Sequence, residues 1–441
     1  MNNIPLPKEL IKSYMAETGL ESVRLASIRE IVHLVNRVEQ NTGVKFIRME
    51  MGVPGLPTPK FGIDGEIDAL KKGVSAIYPE ITGLGILKEE ASRFIRLFLN
   101  VDISPAGCIP TVGSMMGSMT CFLVANRNDR TKEGTLFIDP GFPVQKQQVK
   151  MLGHDYYSFD VYNFRGKKLR AKLESYMATG KISSLLFSNP NNPAWICLNE
   201  EELQIIGELA VKYDVIVIED LAYFGMDFRK DYSNPGVPPH QPTVAHYCND
   251  YVLLLSSSKV FSYAGQRAAI MAISDHLFCR SYPDLLRYYS SSQFGHSAIF
   301  GALYGISAGV THSVQYGLAA LLKAVNDGTY NFRDGVMEYG RKAARMKELF
   351  TSNGFKIVYN MDLGEPVADG FYFTVSYPGL TGEELLNELL RYGVSAITLD
   401  TTGSDRLEGL RACVSMVPAG LFDDLETRLK MFAGEHQVNG R

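Results

Sequence analysis

The sequence has few cysteines, and their spacing matches neither a metal site nor a disulfide framework. Six cysteines are scattered over 441 residues without a CxxC pair, and the eight histidines include no HExxH motif. Such usage is typical of a reduced intracellular protein and gives no support to a zinc site. We therefore expect no metal, and we expect the chemistry to come from something other than a Cys/His cluster.

Long apolar runs and an excess of one charge are also missing. The longest purely apolar runs, residues 215–218 and 252–255, are far shorter than the ~20 residues that cross a bilayer. The N-terminal segment has no apolar h-region of a signal peptide, so a cytoplasmic location is expected. The formal charge is only −4 with no basic stripe, which argues against nucleic acid as a partner. A membrane protein, a disulfide scaffold and a disordered tail are excluded.

What the sequence does contain is a series of short apolar runs separated by helical patterns. The runs lack period-2 alternation, as expected of strands covered on both faces. They are residues 135–138, 184–187, 215–218 and 251–255. Between them, residues 199–213 form a helical pattern in which Asn199 precedes an acidic first turn. Strands alternating with helices predict an α/β fold with a mostly parallel sheet.

Further elements are predicted on either side of this region. Apolar spacing predicts a helix over residues 23–40, with a start near Ser27, and a long helical stretch over residues 297–350. Candidate strands at residues 370–375 and 409–414 indicate an α+β segment in the last ninety residues.

Polar or turn residues follow each of the four buried runs directly. They occupy residues 139–143, 188–193, 219–223 and 256–259. In an open parallel sheet, ligands bind outside the carboxyl ends of the strands. Because four such ends carry these residues, we expect them to converge on one site.

Three charged residues near these strand ends suit one kind of cofactor. Alone, Asp220 is an ordinary loop carboxylate, and Lys259 and Arg267 are ordinary surface charges. Together they suit an aldehyde that also carries a phosphate and a pyridine nitrogen. The lysine would form an imine, the aspartate would keep the ring nitrogen protonated, and the arginine would neutralise the phosphate at a helix start.

The combination of motifs carries a family resemblance. Asn-Pro-x-Asn-Pro at 189–193, Asp-x-Ala-Tyr at 220–223 and Ser-x-Ser-Lys at 256–259 are followed by Arg267, eight residues after the lysine. From about residue 52 to 411 the chain resembles the fold-type I pyridoxal-phosphate enzymes, and most closely the class I/II aminotransferases of the aspartate aminotransferase superfamily. The resemblance implies a three-layer large domain with a mostly parallel sheet, expected at 65–310. It also implies a smaller α+β domain built from both termini, expected at 1–64 and 311–441.

The resemblance also implies roles in holding pyridoxal phosphate. Lys259 would be the Schiff-base and proton-transfer lysine, and Asp220 would pair with the pyridine nitrogen. Tyr223 and Asn192 would hydrogen-bond the phenolic oxygen, and Phe142 would stack on the ring. The residues implied around the phosphate are Gly113, Ser114, Met115, Ser256 and Arg267, with Ser258 nearby, and Tyr78 from the neighbouring subunit of a homodimer with shared active sites.

On the substrate side, the resemblance implies that Arg411 binds the α-carboxylate of the substrate. Its planar guanidinium suits a carboxylate. Gly52 would close over the substrate, and Asn192 would lie beside it. Read alone, Arg411 also fits the exposed face of an alternating strand formed by residues 411, 413 and 415.

Some positions stay open. Ala194 and Trp195 stand where the family has Thr or Ser and then Gly, so Trp195 is either a lid or substrate-wall aromatic or a packing residue. Arg287 is either a second carboxylate ligand from the partner subunit or a surface charge. The aromatic residues Tyr288, Tyr289 and Phe294 equally support an aromatic or aliphatic substrate pocket. The isomer of the Asn192–Pro193 bond is not decided.

The expected activity is a ping-pong transfer of an amino group from an α-amino acid to a 2-oxo acid. A pyridoxal-phosphate β-lyase, such as a C–S lyase, or an eliminase would share every residue named above. A cofactor-binding regulator without turnover is the third alternative. The identity of the amino acid is left open by the motifs.

Overall fold

The computed structural model describes residues 4–132 and 134–436, in which short strands alternate with helices. The strands are β1 (Ile47–Arg48), β2 (Cys108–Thr111), β3 (Gly134–Asp139), β4 (Tyr156–Asp160), β5 (Ile182–Ser188), β6 (Ile216–Asp220), β7 (Tyr251–Ser256), β8 (Ala269–Ile273), β9 (Lys356–Ile357), β10 (Met361–Asp362), β11 (Glu365–Pro366), β12 (Tyr372–Ser376), β13 (Val394–Ser395), β14 (Ile397–Thr398) and β15 (Leu410–Cys413).

Helices connect and cover these strands. They are α1 (Lys8–Glu17), α2 (Ile28–Thr42), α3 (Lys60–Lys71), α4 (Gly85–Leu99), α5 (Gly113–Ala125), α6 (Pro143–Met151), α7 (Lys168–Met177), α8 (Glu200–Tyr213), α9 (Asp275–Cys279), α10 (Phe294–His296), α11 (Tyr304–Ser307), α12 (His312–Asn326), α13 (Phe332–Ser352), α14 (Gly382–Arg391) and α15 (Phe422–Glu435). The π-helical segment Ser297–Leu303 joins α10 to α11. None of the helices within the described ranges is both long and apolar enough to span a bilayer.

A seven-stranded sheet forms the centre of the larger part of the chain. Its strand order is β2-β8-β7-β6-β5-β3-β4, and β8 alone runs antiparallel to its neighbours. Alternate side chains of β6 enter two different apolar clusters, since Val217 packs in one and Ile218 in the other. Both faces of the sheet are therefore covered by helices. The predicted α/β fold with a mostly parallel, three-layer large domain is confirmed.

The four predicted strands are β3, β5, β6 and β7, and two predicted helix starts are confirmed by their caps. Ser27 and Asn199 each accept a hydrogen bond from the backbone three residues on, and Glu30 and Glu202 bond back to the cap residues. These reciprocal bonds satisfy backbone N–H groups that a helix start leaves free. The first of these helices runs from Ile28 to Thr42 rather than over the predicted 23–40.

Three strands of the large sheet, β2, β4 and β8, were not predicted. Pro110 lies within β2, and β4 has a polar and aromatic sequence at the edge of the sheet. The predicted helical stretch over 297–350 is helical over most of its length but is broken twice. The breaks occur where Ala308, Gly309 and Gly328 adopt positive φ, a conformation that ends a helix.

A smaller antiparallel sheet, ordered β14-β15-β12-β9, lies in the C-terminal part, where α13, α14 and α15 pack around it. Its central strands β12 and β15 are the two predicted strands. Near it, β1 pairs in parallel with β13, so the N-terminal segment joins the C-terminal one. The domain boundaries at 64/65 and 310/311 stay a prediction, and α12, which follows residue 310, packs on α3 and α4.

A buried ionic cluster connects the two parts of the chain. Asp362, at the end of β10, accepts hydrogen bonds from Nη1 of Arg165 at 2.7 Å and from Nη2 of Arg229 at 2.8 Å. Arg165 also binds both carboxylate oxygens of Glu202 on α8. The hairpin formed by β10 and β11 is thereby fixed to loops that border the seven-stranded sheet.

Candidate active site

The carboxyl ends of β5, β6 and β7 bring the predicted residues to one edge of the sheet. Asp220 and Ser256 are the last residues of their strands, and Lys259 follows three residues after Ser256. Asn192 follows four residues after Ser188, the last residue of β5, and Ser188 is paired in register with Asp220. The predicted convergence of polar residues at these strand ends is therefore seen in the structure.

Lys259 lies at the centre of this edge. Its Nζ donates a hydrogen bond to the carbonyl oxygen of Gly52 and lies 5.5 Å from the centroid of the Phe371 ring. Removal of its amine from water, helped by the positive charges of Arg411 and Arg267, lowers the pKa of Lys259 to about 8. An amine with this pKa is uncharged in about a tenth of molecules at pH 7, far more than a lysine in water.

Asp220 is buried and is held by two hydrogen bonds. Nε2 of Gln145, on α6, donates to its Oδ2 at 2.8 Å, and the backbone N–H of Ala222 donates to its Oδ1 at 3.1 Å. Burial nevertheless raises the pKa of Asp220 to about 6. Phe142 caps the start of α6, one turn before Gln145, which places it at the end of the helix that faces Asp220. Sequence reasoning missed Gln145, because no motif marks a glutamine inside a helix.

The start of α5 forms a second feature of the edge. Gly113 has φ +70°, and a Cβ at this position would lie 2.3 Å from Nη2 of Arg267. Only glycine allows the guanidinium to come this close. The next two residues, Ser114 and Met115, continue the first turn, whose backbone N–H groups have no partner within the helix. Arg267 is exposed and also donates to the carbonyl oxygen of Ala264 at 2.8 Å.

Ser256 completes this group at the end of β7. Its hydroxyl oxygen accepts a hydrogen bond from the backbone N–H of Ser258 at 3.2 Å, which fixes the turn that leads to Lys259. Both serines are buried.

Arg411 is deeply buried in β15, with 1% of its surface exposed. Its Nη2 donates to the carbonyl oxygen of Glu50 at 2.6 Å, and its Nη1 lies 3.5 Å from Oδ1 of Asn192. Residues 413 and 415 on the same side of the strand are buried as well. The alternative of an exposed strand face is therefore wrong, and the structure brings Arg411 and Asn192 together as the resemblance implied.

Tyr223 meets a residue that sequence reasoning missed. Its hydroxyl lies 2.9 Å from the hydroxyl of Tyr372, and burial raises the pKa of Tyr223 well above its usual value. The ring of Tyr372 lies beneath the guanidinium of Arg411, with Cζ 4.7 Å from the ring centroid. A Cβ at Gly52 would lie 2.0 Å from the Tyr372 hydroxyl. Tyr372 occurs within a predicted strand, where it resembles any buried aromatic residue.

Trp195 is fully buried rather than part of a lid. Its ring centroid lies 5.3 Å from that of Tyr223, and a Cβ at Gly370 would overlap its indole ring. The packing alternative is therefore the one that the structure supports. The Asn192–Pro193 bond is cis.

Tyr78 and Arg287, unlike most of the residues above, are exposed. Tyr78 is 91% exposed. The guanidinium of Arg287 stacks on Tyr288, and so does that of Arg127, just beyond the last turn of α5. Because α5 starts at the candidate site and is about 20 Å long, Arg287 lies far from Lys259 of its own chain. Within residues 4–132 and 134–436, His, Cys, Asp and Glu side chains form no group of three that could hold a metal ion.

These donors fit pyridoxal phosphate, the cofactor that the sequence resemblance implies. Lys259 offers an amine to its aldehyde, and Asp220 offers a buried carboxylate that a cationic ring nitrogen would stabilise. The first turn of α5 and Arg267 offer N–H donors and a positive charge to its phosphate, across a backbone position where a side chain would not fit.

Comparison with known proteins gives a family match over most of the chain. Residues 44–421 match the family described as aminotransferase class I and II. A probable aspartate aminotransferase from Methanocaldococcus jannaschii is 23% identical over 267 residues, which cover 60% of this chain and 64% of that protein. Aromatic-amino-acid aminotransferase 2 from Thermococcus litoralis is 29% identical over 222 residues, which cover 48% of this chain and 54% of that protein. The matches thus span less than two thirds of these relatives.

Solved structures match over a greater length. An alanine aminotransferase from Pyrococcus furiosus superposes with a TM-score of 0.76 at 19% identity, covering 95% of this chain and 99% of that one. A single mutant of Thermus thermophilus aspartate aminotransferase gives a TM-score of 0.75 at 14% identity, covering 92% and 97%. At this level of identity the likeness establishes the fold.

Proposed function

The chain belongs to the class I and II aminotransferase family, and on that premise we propose that it is a pyridoxal-phosphate-dependent aminotransferase. It would move the amino group of an α-amino acid to a 2-oxo acid in two half-reactions. The observation that carries the proposal is the amine of Lys259, with its lowered pKa, at the same sheet edge as Asp220 and Arg267.

The proposed cofactor contacts follow from these positions. Pyridoxal phosphate supplies an aldehyde that condenses with amines and a ring that withdraws electrons from the bonds of the attached amino acid. Lys259 would hold the aldehyde carbon, and Asp220, kept in place by Gln145, would hold the ring nitrogen. The phosphate would bind the first turn of α5, Ser256 and Arg267. Tyr223 and Asn192 would bind the phenolic oxygen, and Phe142 would cover the ring face.

Lys259 would also move the proton. In water a lysine amine is almost fully protonated at neutral pH and is a poor base. In this site the lowered pKa raises the uncharged fraction of Nζ, which would accept the α-proton of the substrate and return it to the cofactor carbon.

Arg411 would orient the substrate through its α-carboxylate. Asn192 and the carbonyl oxygen of Glu50 fix two of its nitrogens, so the guanidinium needs little reordering on binding. Gly52 would close over the substrate, because its carbonyl oxygen contacts the Lys259 amine.

One experiment tests the lysine. The protein is mixed with pyridoxal phosphate, reduced with borohydride, digested and analysed by mass spectrometry. We expect the label on Lys259, its loss in Lys259→Met, and its retention in Lys342→Met, a control that removes a different buried lysine. A label that persists in Lys259→Met would refute the assignment.

A second measurement distinguishes amino-group transfer from the alternative activities. The loaded protein is incubated with single amino acids, without a 2-oxo acid. A transaminase converts the cofactor stoichiometrically to its pyridoxamine form. Continuous release of pyruvate and ammonia would instead identify the β-lyase or eliminase, and cofactor binding without either reaction would identify a regulator.

We further propose a homodimer with shared active sites, in which Tyr78 reaches the phosphate of its neighbour. Tyr78 and the adjacent Ile77 are exposed, as are apolar residues of α3, including Phe61 and Ile67. Sedimentation should give twice the chain mass, and a monomer would contradict the proposal.

The cysteines of the described residues are free thiols, which supports the proposed cytoplasmic location.

A further inference from the structure

Tyr372 contacts three of the proposed functional residues at once. Its side chain is 2% exposed, its hydroxyl lies 2.9 Å from that of Tyr223, and its ring lies beneath Arg411. Its hydroxyl also occupies the space where Gly52 would carry a Cβ. No other side chain described above touches both the proposed cofactor residue Tyr223 and the proposed substrate residue Arg411.

The hydrogen bond between the two tyrosines has a direction. Each hydroxyl carries one proton, and only one of the two can donate across the 2.9 Å gap. If Tyr223 donates its proton to a cofactor oxygen, Tyr372 must donate to Tyr223. Burial raises the pKa of Tyr372 to about 12, so it keeps the proton it needs over the neutral range.

We propose that Tyr372 is a positioning residue for both the cofactor residue Tyr223 and the substrate residue Arg411. Its hydroxyl donates to the Tyr223 oxygen and directs the Tyr223 proton towards the phenolic oxygen of pyridoxal phosphate. Its ring holds the guanidinium plane of Arg411 for the substrate carboxylate. This inference rests on the proposed function, because it assigns Tyr372 a role towards the same cofactor and substrate.

The hydroxyl contribution follows from polarisation along a chain of hydrogen bonds. A tyrosine that accepts one bond becomes a stronger donor in the next. With pyridoxal phosphate bound, a stronger bond from Tyr223 would withdraw charge from the phenolic oxygen, which would then hold a neighbouring proton less firmly. Tyr372 would therefore lower the pKa at which the absorbance of the bound cofactor changes.

The ring contribution concerns Arg411. Its Nη1 and Nη2 have partners, but its Nε is buried and finds no hydrogen-bond partner among the described residues. On one face the guanidinium is held by the Tyr372 ring, whose centroid lies 4.7 Å from Cζ, a cation–π distance. The two contributions can be separated, because phenylalanine keeps the ring and removes only the hydroxyl.

The first test is a pH titration of the absorbance of the cofactor-loaded protein. In Tyr372→Phe we expect the pKa of the transition to rise by about half a unit. Tyr392→Phe is the matched control, because Tyr392 is also fully buried but packs on Phe432 in the small sheet region. We expect the transition of this control to coincide with that of the wild type.

The second test measures binding of 3-phenylpropionate, a carboxylate without an amine, from its effect on the same absorbance. Tyr372→Phe should change the affinity less than twofold. Tyr372→Leu, which removes the ring, should weaken it by about tenfold.

The outcomes distinguish this inference from the proposed function. An unshifted transition in Tyr372→Phe, or equal carboxylate affinities for the phenylalanine and leucine variants, would overturn the role of Tyr372. A wild-type protein that forms no lysine-bound cofactor would refute the proposed function itself, and with it the inference.

Discussion

At the scale of single residues, Gly52 shows how a missing side chain shapes the site. Its carbonyl oxygen accepts a hydrogen bond from Lys259, and the absence of a Cβ leaves room for the hydroxyl of Tyr372. A Cβ would lie 2.0 Å from that hydroxyl but 3.1 Å from the ring carbon that bears it. A side chain at position 52 would therefore clash mainly with one oxygen atom of another residue.

This geometry predicts an energetic coupling between the two positions. Gly52→Ala should lower the free energy of unfolding by about 2 kcal/mol, since the added methyl overpacks a buried contact. In a Tyr372→Phe background the loss should be about 1 kcal/mol smaller, because the overlapping oxygen is gone. Urea denaturation of the four proteins of the cycle measures both values.

The control is Gly85→Ala, because a Cβ at Gly85 would meet nothing within 4 Å. Strictly additive effects of Gly52→Ala and Tyr372→Phe would contradict the contact.

Glu219, the neighbour of Asp220 in β6, predicts a pH dependence of stability. It is fully buried and accepts hydrogen bonds from Thr243 Oγ1 at 2.6 Å and from the backbone N–H of Val244 at 3.0 Å. Burial raises the pKa of Glu219 to about 7, above its value of about 4.3 in the unfolded chain. The folded state therefore binds this proton more tightly, and its stability falls as the pH rises from about 4 to about 7.

Glu219→Gln removes this titration and keeps an acceptor for Thr243. The free energy of unfolding of Glu219→Gln, relative to that of the wild type, should rise by about 2–3 kcal/mol between pH 5 and pH 8. Thermal or urea unfolding across this range measures the shift, and a difference independent of pH would contradict the raised pKa.

Residue positions divide into those that sequence could predict and those that it could not. Lys259, Asp220 and Asn192 lie at the ends of buried strands or within four residues after them, so the strand pattern alone places them at one edge. Gln145 and Tyr372 reach the site from a helix and from the small sheet. Their partners are 75 and 149 residues away in sequence, and nothing local distinguishes them from ordinary helix or core residues.

At the scale of elements, the first turn of α5 is defined by its glycine. The positive φ of Gly113 and its close approach to Arg267 place a guanidinium directly over a helix N-terminus. The N-terminal N–H groups and the arginine would then face the same anion in the proposed cofactor site.

Gly113→Ala should lower the affinity for pyridoxal phosphate by at least about tenfold. The added Cβ would displace the Arg267 guanidinium, and alanine disfavours a positive φ. Equilibrium dialysis measures the affinity. Gly265→Ala, in the turn before Arg267, is the control because a Cβ there would meet nothing within 4 Å. Equal losses in both variants would show that Gly113 has no special role.

Element prediction succeeded where pattern and capping agreed. The starts of α2 and α8 carry capping boxes, and both were predicted close to their observed positions. Strands β4 and β8 were missed, since an edge strand with polar residues and a short alanine-containing strand lack the long aliphatic run that marks a central strand.

At the scale of the whole molecule, the ionic cluster around Asp362 holds the hairpin of β10 and β11 against the large sheet region. Both Arg165 and Asp362 are less than a tenth exposed, so neither charge is solvated by bulk water. Each buried charge is therefore balanced by the opposite charges within the cluster.

Asp362→Asn should lower the free energy of unfolding by about 3 kcal/mol, because it leaves the charges of two arginines without their shared carboxylate. Glu338→Gln, in an exposed pair with Arg341, is the control and should change stability by less than about 1 kcal/mol. Urea denaturation measures both. A small effect of Asp362→Asn would mean that packing alone fixes the hairpin.

The general architecture was accessible from sequence because it depends on repeated patterns. Alternating strands and helices predicted the parallel sheet, and the polar strand ends predicted where the site lies. The attachment of the small sheet region was not accessible. It depends on single long-range contacts, such as those of Asp362 and Tyr372, that no local pattern encodes.

Trp195 gives this molecule a built-in optical probe. It is the only tryptophan in the chain, it is fully buried, and its indole lies against Tyr223. Its intrinsic fluorescence therefore originates at a single point beside the proposed cofactor. A chromophore bound at Lys259 would quench that emission by energy transfer, so occupancy can be followed in the unlabelled protein and compared directly among the variants of Tyr372 and Gly113.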